Sequence, residues 1–425
     1  MVVAPYAAVL RRPGAIRPFV ATVVARLPIA MAPLGMVVLV QNVTGSYAIA
    51  GLVTGGFAVG TSVGAPVWGR MMDRLGQARV IVPTVLASAV LIAALALGAV
   101  GGAPAVWLVA LAAAAGLTFP PFGAAMRSTW RLVVPEGPER RAGFALDAVA
   151  VESLFVGGPL FLSLLLVVSP PVVPLLVSAV LLAAGGLAYS ATEPARRRPP
   201  HGRRSRPGEI VSGRAKADGS EAGRARAGGS GPGRLMAGGL PVVLVISAAL
   251  SIGFGVIDTS LAATARQVLG HQGWLGLLFA AIAGASVIGG LAYGTRATHD
   301  REQRRLPVAL GVFALGLAPV PFLIAAGRPS LWALLPLLFL AGLAIAPALI
   351  MLQNIVDRVA PAARHQEAQA WLSTSSTTGG AAGTAVAGLA VDAAGVPAAL
   401  GLAVIAVLLS CLLAVLGRGV LAGSP

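Results

Sequence analysis

Arg26, Asp147, Glu152 and Asp258 stand inside stretches that are otherwise apolar, "FVATVVARLPIAMAP", "FALDAVAVESLFVGGP" and "GFGVIDTSLAA". A charge held among hydrocarbon is costly unless it is paired or hydrated, so such residues are functional candidates. An acid kept there beside an arginine can act as a proton carrier. Burial favours the neutral acid, the arginine favours the carboxylate, and a movement that separates them decides between the two. Other chemistry has little support. His201, His271, His299 and His365 fall in loops or at the ends of apolar runs, and Cys411 is the only cysteine, so no metal cluster, cofactor site or internal disulfide is expected. No G-x-x-x-x-G-K-[ST] phosphate loop occurs, which leaves an ion gradient rather than a nucleotide as the energy source.

The elements that must position these residues are membrane spans. The 425-residue chain is 57% hydrophobic and 11% charged, with a mean hydropathy of +0.86, more apolar surface than a water-soluble domain can hide. Twelve apolar runs, at 17–40, 47–70, 80–101, 104–127, 142–167, 170–190, 240–262, 273–296, 306–327, 330–352, 368–392 and 396–418, are each long enough to cross a bilayer as a helix. Their length suits helices rather than barrel strands, so the fold class is all-α and polytopic. With both termini inside, nearly all arginines outside the runs fall on the cytoplasmic side, and only Arg266 and Arg328 fall outside. The formal charge of +16 is therefore read as a topology signal, with no nucleic-acid partner. The first residues lack the order of a signal peptide, and the heavy use of Arg over Lys points to a bacterial inner membrane.

Residues 191–239 are rich in Arg, Gly, Pro and Ser and poor in large apolar residues, the composition of a flexible basic cytoplasmic linker with affinity for anionic lipid. The chain divides into a bundle over 1–190, this linker and a bundle over 240–425. Trp68, Trp130 and Trp371 fall near cytoplasmic span ends and Trp107, Trp274 and Trp332 near outer ends, as interfacial rings should. Glycines at four-residue spacing let helices approach closely: Gly56, Gly60 and Gly64 in the second span, Gly290 and Gly294 in the eighth, Gly379 and Gly383 in the eleventh. Equivalent spans, the second with the eighth and the fifth with the eleventh, are the expected sliding surfaces between halves.

Between the second and third runs lies "GRMMDRLGQAR", in which Gly69, Asp73, Arg74, Gly76 and Arg79 follow the pattern G-x-x-x-D-R/K-x-G-x-x-R/K. In a six-plus-six layout this resembles the major facilitator superfamily of secondary transporters, along essentially the whole chain. The resemblance implies two pseudo-symmetric six-helix bundles, a central cavity lined by the first and seventh spans, and a cytoplasmic latch in which Asp73 docks near the start of the eleventh helix. Gly76 would supply the tight turn. The second-half loop, "GGLAYGTRATHDREQRR", keeps Gly290 and Arg296 but has Gly294 where the acid would stand. Gly158 and Pro159 in the fifth span resemble the core of a signature common in proton-coupled exporters.

At about 1.5 Å per residue, Arg26 lies about 14 Å into the first run, Glu152 about 15 Å and Asp147 about 7 Å into the fifth. Matched depth makes Arg26 and Glu152 the expected pair, with Glu152 the proton carrier. Asp147 is expected to join Asp73, Arg74 and Arg127 in a cytoplasmic charge network, Asp258 to bind substrate or a second proton, and Asp392 to cap a helix end. The reading is a monomeric transporter, not an enzyme, that exports a small organic compound in exchange for protons. Its partners are the substrate, protons and the lipid bilayer. An uptake permease for a sugar or other small metabolite and a non-transporting sensor are the alternatives, the former disfavoured by the few interior aromatics, Phe57, Phe119, Phe122 and Phe144 among them.

Overall fold

A computed structural model describes residues 9–135, 137–197, 239–295, 302–327, 330–360 and 365–421. Among them the regular structure is helical, with no strand. Eleven helices are long and apolar enough to cross a membrane. In chain order the first ten are α1 (Ile16–Thr44), α2 (Tyr47–Leu75), α3 (Gln77–Val100), α4 (Ala105–Val133), α5 (Pro138–Val168), α6 (Val173–Ser190), α7 (Leu240–Val268), α8 (Leu275–Thr295), α9 (Glu302–Ala325) and α10 (Leu331–Val359).

The eleventh of these, His365–Leu416, is 52 residues long, which at about 1.5 Å per residue is more than twice the hydrocarbon thickness. It is two spans. Gly395, with φ of 81°, breaks the helix immediately before Val396 and Pro397, giving α11 (365–394) and α12 (396–416). The chain folds back there, because Ser375 on α11 donates to the Leu244 carbonyl and Ser410 on α12 to the Ile246 carbonyl, at nearly the same level of α7. Among the described residues the spans then number twelve, matching the twelve apolar runs.

The outward faces are apolar: Trp332, Phe322 and Leu315 are 79%, 75% and 73% exposed, a surface stable only against lipid. Trp107, Trp274, Trp332 and Trp371 are also exposed, whereas Trp130 is fully buried. Trp130 packs against Phe19, ring centroids 5.9 Å apart, in the gap left by Gly143, so it is a core residue and not an interfacial ring.

The glycine spacing reports packing chiefly inside each half. A Cβ at Gly60 or Gly64 would overlap the carbonyls of Ala113 and Leu117 on α4, and one at Gly379 or Gly383 would press into Ala248 and Ile252 on α7. Contacts between the halves pair α2 with α11 and α5 with α8, rather than equivalent spans with each other. Gly51 lies against the Thr384 carbonyl, Gly388 against that of Tyr47, and Gly276 against Ser163. Most of the basic linker lies outside the described residues. Its start is folded, since Glu193–Arg196 forms one helical turn with Pro194 and Ala195 buried.

Candidate functional site

The guanidinium of Arg26, buried on α1, makes two bonds in two directions. Nη1 donates to Oδ1 of Asp147 on α5 at 2.8 Å, and Nη2 donates to the Phe122 carbonyl on α4, also at 2.8 Å. The side chains of Arg26 and Asp147 are only 6% and 11% exposed. Asp147 is thus the carboxylate that Arg26 holds, and it is not part of a network with Asp73 and Arg74. The fork geometry of arginine is what permits both contacts at once.

The Phe122 contact lies where a broken α4 resumes. Regular helix ends at Leu117 and resumes at Phe122, across Pro120 and Pro121, whose missing N–H groups would have bonded the carbonyls of Gly116 and Leu117. Replacements are at hand. Phe119 N–H takes the Gly116 carbonyl at 3.0 Å, and the Trp68 indole N–H takes that of Leu117 at 2.6 Å.

Arg26 and Asp147 border a cavity of about 990 Å³. Its walls include Phe119, Phe122, Phe144 and Phe155 from the first half and Gln353 and Ser373 from the second, with Arg127 and Arg131. Phe57, Phe119, Phe122 and Tyr189 form a chain of edge-to-face contacts, centroids 6.0 to 6.4 Å apart, that fixes the first two cavity rings.

At the end of the bundle away from the arginine-rich loops, the halves are tied together. Arg266, in a π-helical turn over Thr264–Val268, donates to Gln41 Oε1 on α1. Asp392, on α11, accepts from Ser46 Oγ at 2.6 Å, Tyr47 N–H at 2.9 Å and Ala48 N–H at 2.7 Å. Ser46 in turn takes the Ile49 N–H. The start of α2 is therefore capped by its own serine and by an acid from the other half, which also meets the positive end of the helix dipole.

At the opposite end Gly76, with φ of 91°, turns α2 into α3, and exposed Asp73 faces a separate cavity of about 410 Å³ with Arg131 and Arg197. The profile of the Major Facilitator Superfamily matches residues 19–328, well over half of the chain. The chain belongs to the Major Facilitator Superfamily. No curated protein matches it. Solved structures do, at low identity. The nucleoside transporter NupG shares 13% identity at a TM-score of 0.71, covering 95% of this chain and 99% of its own. A bacterial homologue of the human lysosomal transporter Spinster, inward-facing and occupied, shares 14% at 0.71, with 96% and 98% covered. The human organic anion transporter MFSD10 shares 19% at 0.60, with 95% and 100% covered. These likenesses carry the fold, and the family makes the chain a membrane transporter rather than an enzyme.

Other expected residues of this superfamily member are dispersed. Arg74 and Arg79 are exposed near Asp73, which has no bonded partner among the described residues, while Arg127 borders the central cavity. Gly158 faces Ala30, where a Cβ would come within 2.7 Å of the alanine methyl, so α5 and α1 touch closely, with Pro159 in the next position of α5. Position 152 lies about 140° around α5 from Asp147, off the stripe of Phe144, Asp147, Val151, Leu154 and Phe155 that lines the cavity, and its side chain is outside the described residues. Asp258 is exposed to solvent yet surrounded by protein at longer range, as in a re-entrant space, and it is not among the residues lining the large cavity. The hydroxyl run of α11 mostly packs: Ser375 and Ser376 bond α7, and Thr377 bonds back to Ser373.

Two groups were not singled out by sequence, and a third was singled out only in part. The Gln41–Arg266 contact joins residues 225 apart, which no local pattern encodes. Asp392 was seen only as a cap and not as the cap of α2. Glu302 sits in the same loop as the missing second-half acid and is 1% exposed, accepting from Asn354 at 2.6 Å, Arg358 at 2.9 Å and Tyr293 at 3.3 Å. The second half thus carries its buried acid at the far end of the loop, where it staples α8, α9 and α10.

Proposed function

We propose that this superfamily transporter exports a small ring-bearing organic compound in exchange for protons. The reading is carried by the buried Arg26–Asp147 pair on the wall of a cavity whose far end is tied shut by Asp392 and Arg266. By the positive-inside rule the arginine-rich end is cytoplasmic and both termini lie there, in a bacterial inner membrane. A cavity open to the cytoplasm with Asp147 ionised and paired is the state of an exporter that has released its proton and awaits cargo. Cargo seats against Phe119, Phe122, Phe144 and Phe155. The bundles then rock about the midplane, breaking the outer ties and exposing the site outward. There a proton neutralises Asp147, Arg26 loses its counter-charge, cargo leaves, and the protonated carrier returns. Glu152 is a second carboxylate for the same role, and Asp258 a further site for proton or cargo. The transporter works as a monomer, with Asp73, Arg74 and Arg79 closing the cytoplasmic side when it faces out.

One observation favours a second reading. Arg26, Arg127 and Arg131 against Asp147 leave the described cavity wall with two net positive charges. Protonating Asp147 would free Arg26 for an anionic substrate, so proton and anion would bind together, which is uptake by symport. Proteoliposomes with a pH gradient of either sign, screened with aromatic drugs, nucleosides, aromatic carboxylates and sugars, separate the two. Antiport concentrates the substrate in an acidic lumen and symport in an alkaline one; a gradient with no effect on any transported compound defeats both.

A further inference from the structure

A third cavity, of about 1,020 Å³, opens on the outer flank of the first half between α1 and α6. The two helices are in closest contact where Gly185 meets Ala25 and Ala21: a Cβ there would come within 2.9 Å of the Ala21 carbonyl and nearer still to the backbone of Ala25. Toward the arginine-rich end they part, leaving a groove walled by Val20, Val24, Ala184 and Ala188 and rimmed by Arg11 and Arg17. Val20 is 52% exposed and Ala184 and Ala188 are exposed as well, so the groove floor faces what would be lipid.

The rim charges are not balanced by protein. Arg12, beside them, is spent on Glu139 at 2.6 Å, and Glu193, the nearest acid on the rim, is spent on Arg197 at 2.7 Å. Among the described residues Arg11 and Arg17 have no carboxylate partner. Arg17 lies in the first turn of α1, at headgroup depth, where the chain enters the membrane. Two free guanidiniums above an apolar channel match one chemistry, a phosphodiester joined to hydrocarbon chains.

We propose that this groove binds an anionic phospholipid, with its phosphate between Arg11 and Arg17 and an acyl chain lying along Val20, Val24, Ala184 and Ala188. Free phosphate would leave the apolar channel empty, and a zwitterionic lipid would leave the rim uncompensated. The occupant would tie the first turn of α1 to the end of α6, close to where Gly14, just before α1, lies beside Pro194 in the turn at Glu193–Arg196.

Native mass spectrometry of the full chain released from micelles tests this, with phosphatidylglycerol, phosphatidylcholine or inorganic phosphate added. Wild type should retain phosphatidylglycerol and not phosphatidylcholine. R11Q/R17Q should retain about tenfold less. Ala188→Trp, which fills the channel and leaves the rim charges, should lose it too. R304Q/R418Q, which removes two exposed arginines from the other half, should behave as wild type. Equal retention by R11Q/R17Q, or by Ala188→Trp, would overturn the site, the second by reducing it to a phosphate contact. Displacement of the lipid by millimolar inorganic phosphate would overturn it in the same way.

Discussion

Arg26 and Asp147 meet at 2.8 Å across the α1–α5 interface, almost sealed from solvent, while the same guanidinium reaches the Phe122 carbonyl beside the break in α4. One side chain therefore links three helices that border the cavity. Any change in the charge of Asp147 is felt at α1 and at the broken helix together.

Replacing Arg26 by lysine keeps the charge but gives up the fork, so one of the two contacts must be lost. A stability loss of about 1–3 kcal/mol is expected, with roughly tenfold slower transport. Thermal melting in detergent and initial transport rates check both, and an unchanged Arg26→Lys protein would mean that the Phe122 contact carries no weight.

The ties at the far end predict a change of conformation rather than of stability. Asp392→Ala removes the acceptor for the Tyr47 and Ala48 N–H groups and for Ser46. Outward-facing molecules should become about tenfold more populated, the effect of about 1.4 kcal/mol. A cysteine at Phe155 in a Cys411→Ser background should then be labelled faster by an impermeant maleimide added outside. Labelling at the wild-type rate would show that the cap does not hold the outer gate.

Glycines sort by location. Gly388→Val puts a side chain against the Tyr47 carbonyl, between halves, and should shift the same labelling assay outward. Gly60→Val strikes Ala113 on α4 within one half and should lower the melting temperature without altering the labelling pattern.

Trp68→Phe removes the indole N–H that stands in for the missing donor of Pro121 at Leu117. About 1–3 kcal/mol of destabilisation is expected from the orphaned carbonyl. Melting of the variant measures it, and a Trp68→Phe protein as stable as wild type would assign the indole to lipid anchoring alone.

Much of the fold was legible in the residues. Apolar run length located the helices, the gap between the runs at 368–392 and 396–418 holds the Gly395 turn between α11 and α12, and Gly76 stood where the turn after α2 needs positive φ. The partner of Arg26 was not legible, for a measurable reason. Depth was counted from the apolar edge at 142, but α5 begins at Pro138, running through charged "PERR" with proline and Glu139 in its first turn. Counted from the real helix starts at about 1.5 Å per residue, Arg26 lies about 15 Å deep, Asp147 about 14 Å and Glu152 about 21 Å. Asp147 is then the match. The aromatic lining was underestimated similarly, because Phe155 and Phe144 share a cavity with Phe119 and Phe122 only once α5 and α4 pack on α1.

The most direct test of the proposed coupling is pH-gradient discharge in proteoliposomes by wild type, Asp147→Asn and Glu152→Gln, with a compound that wild type transports. Wild type and Glu152→Gln are expected to discharge the gradient, and Asp147→Asn to fail while still exchanging labelled for unlabelled compound across the bilayer. Discharge by Asp147→Asn at the wild-type rate, with loss in Glu152→Gln, would make the Arg26–Asp147 pair a structural tie and move the proton to Glu152.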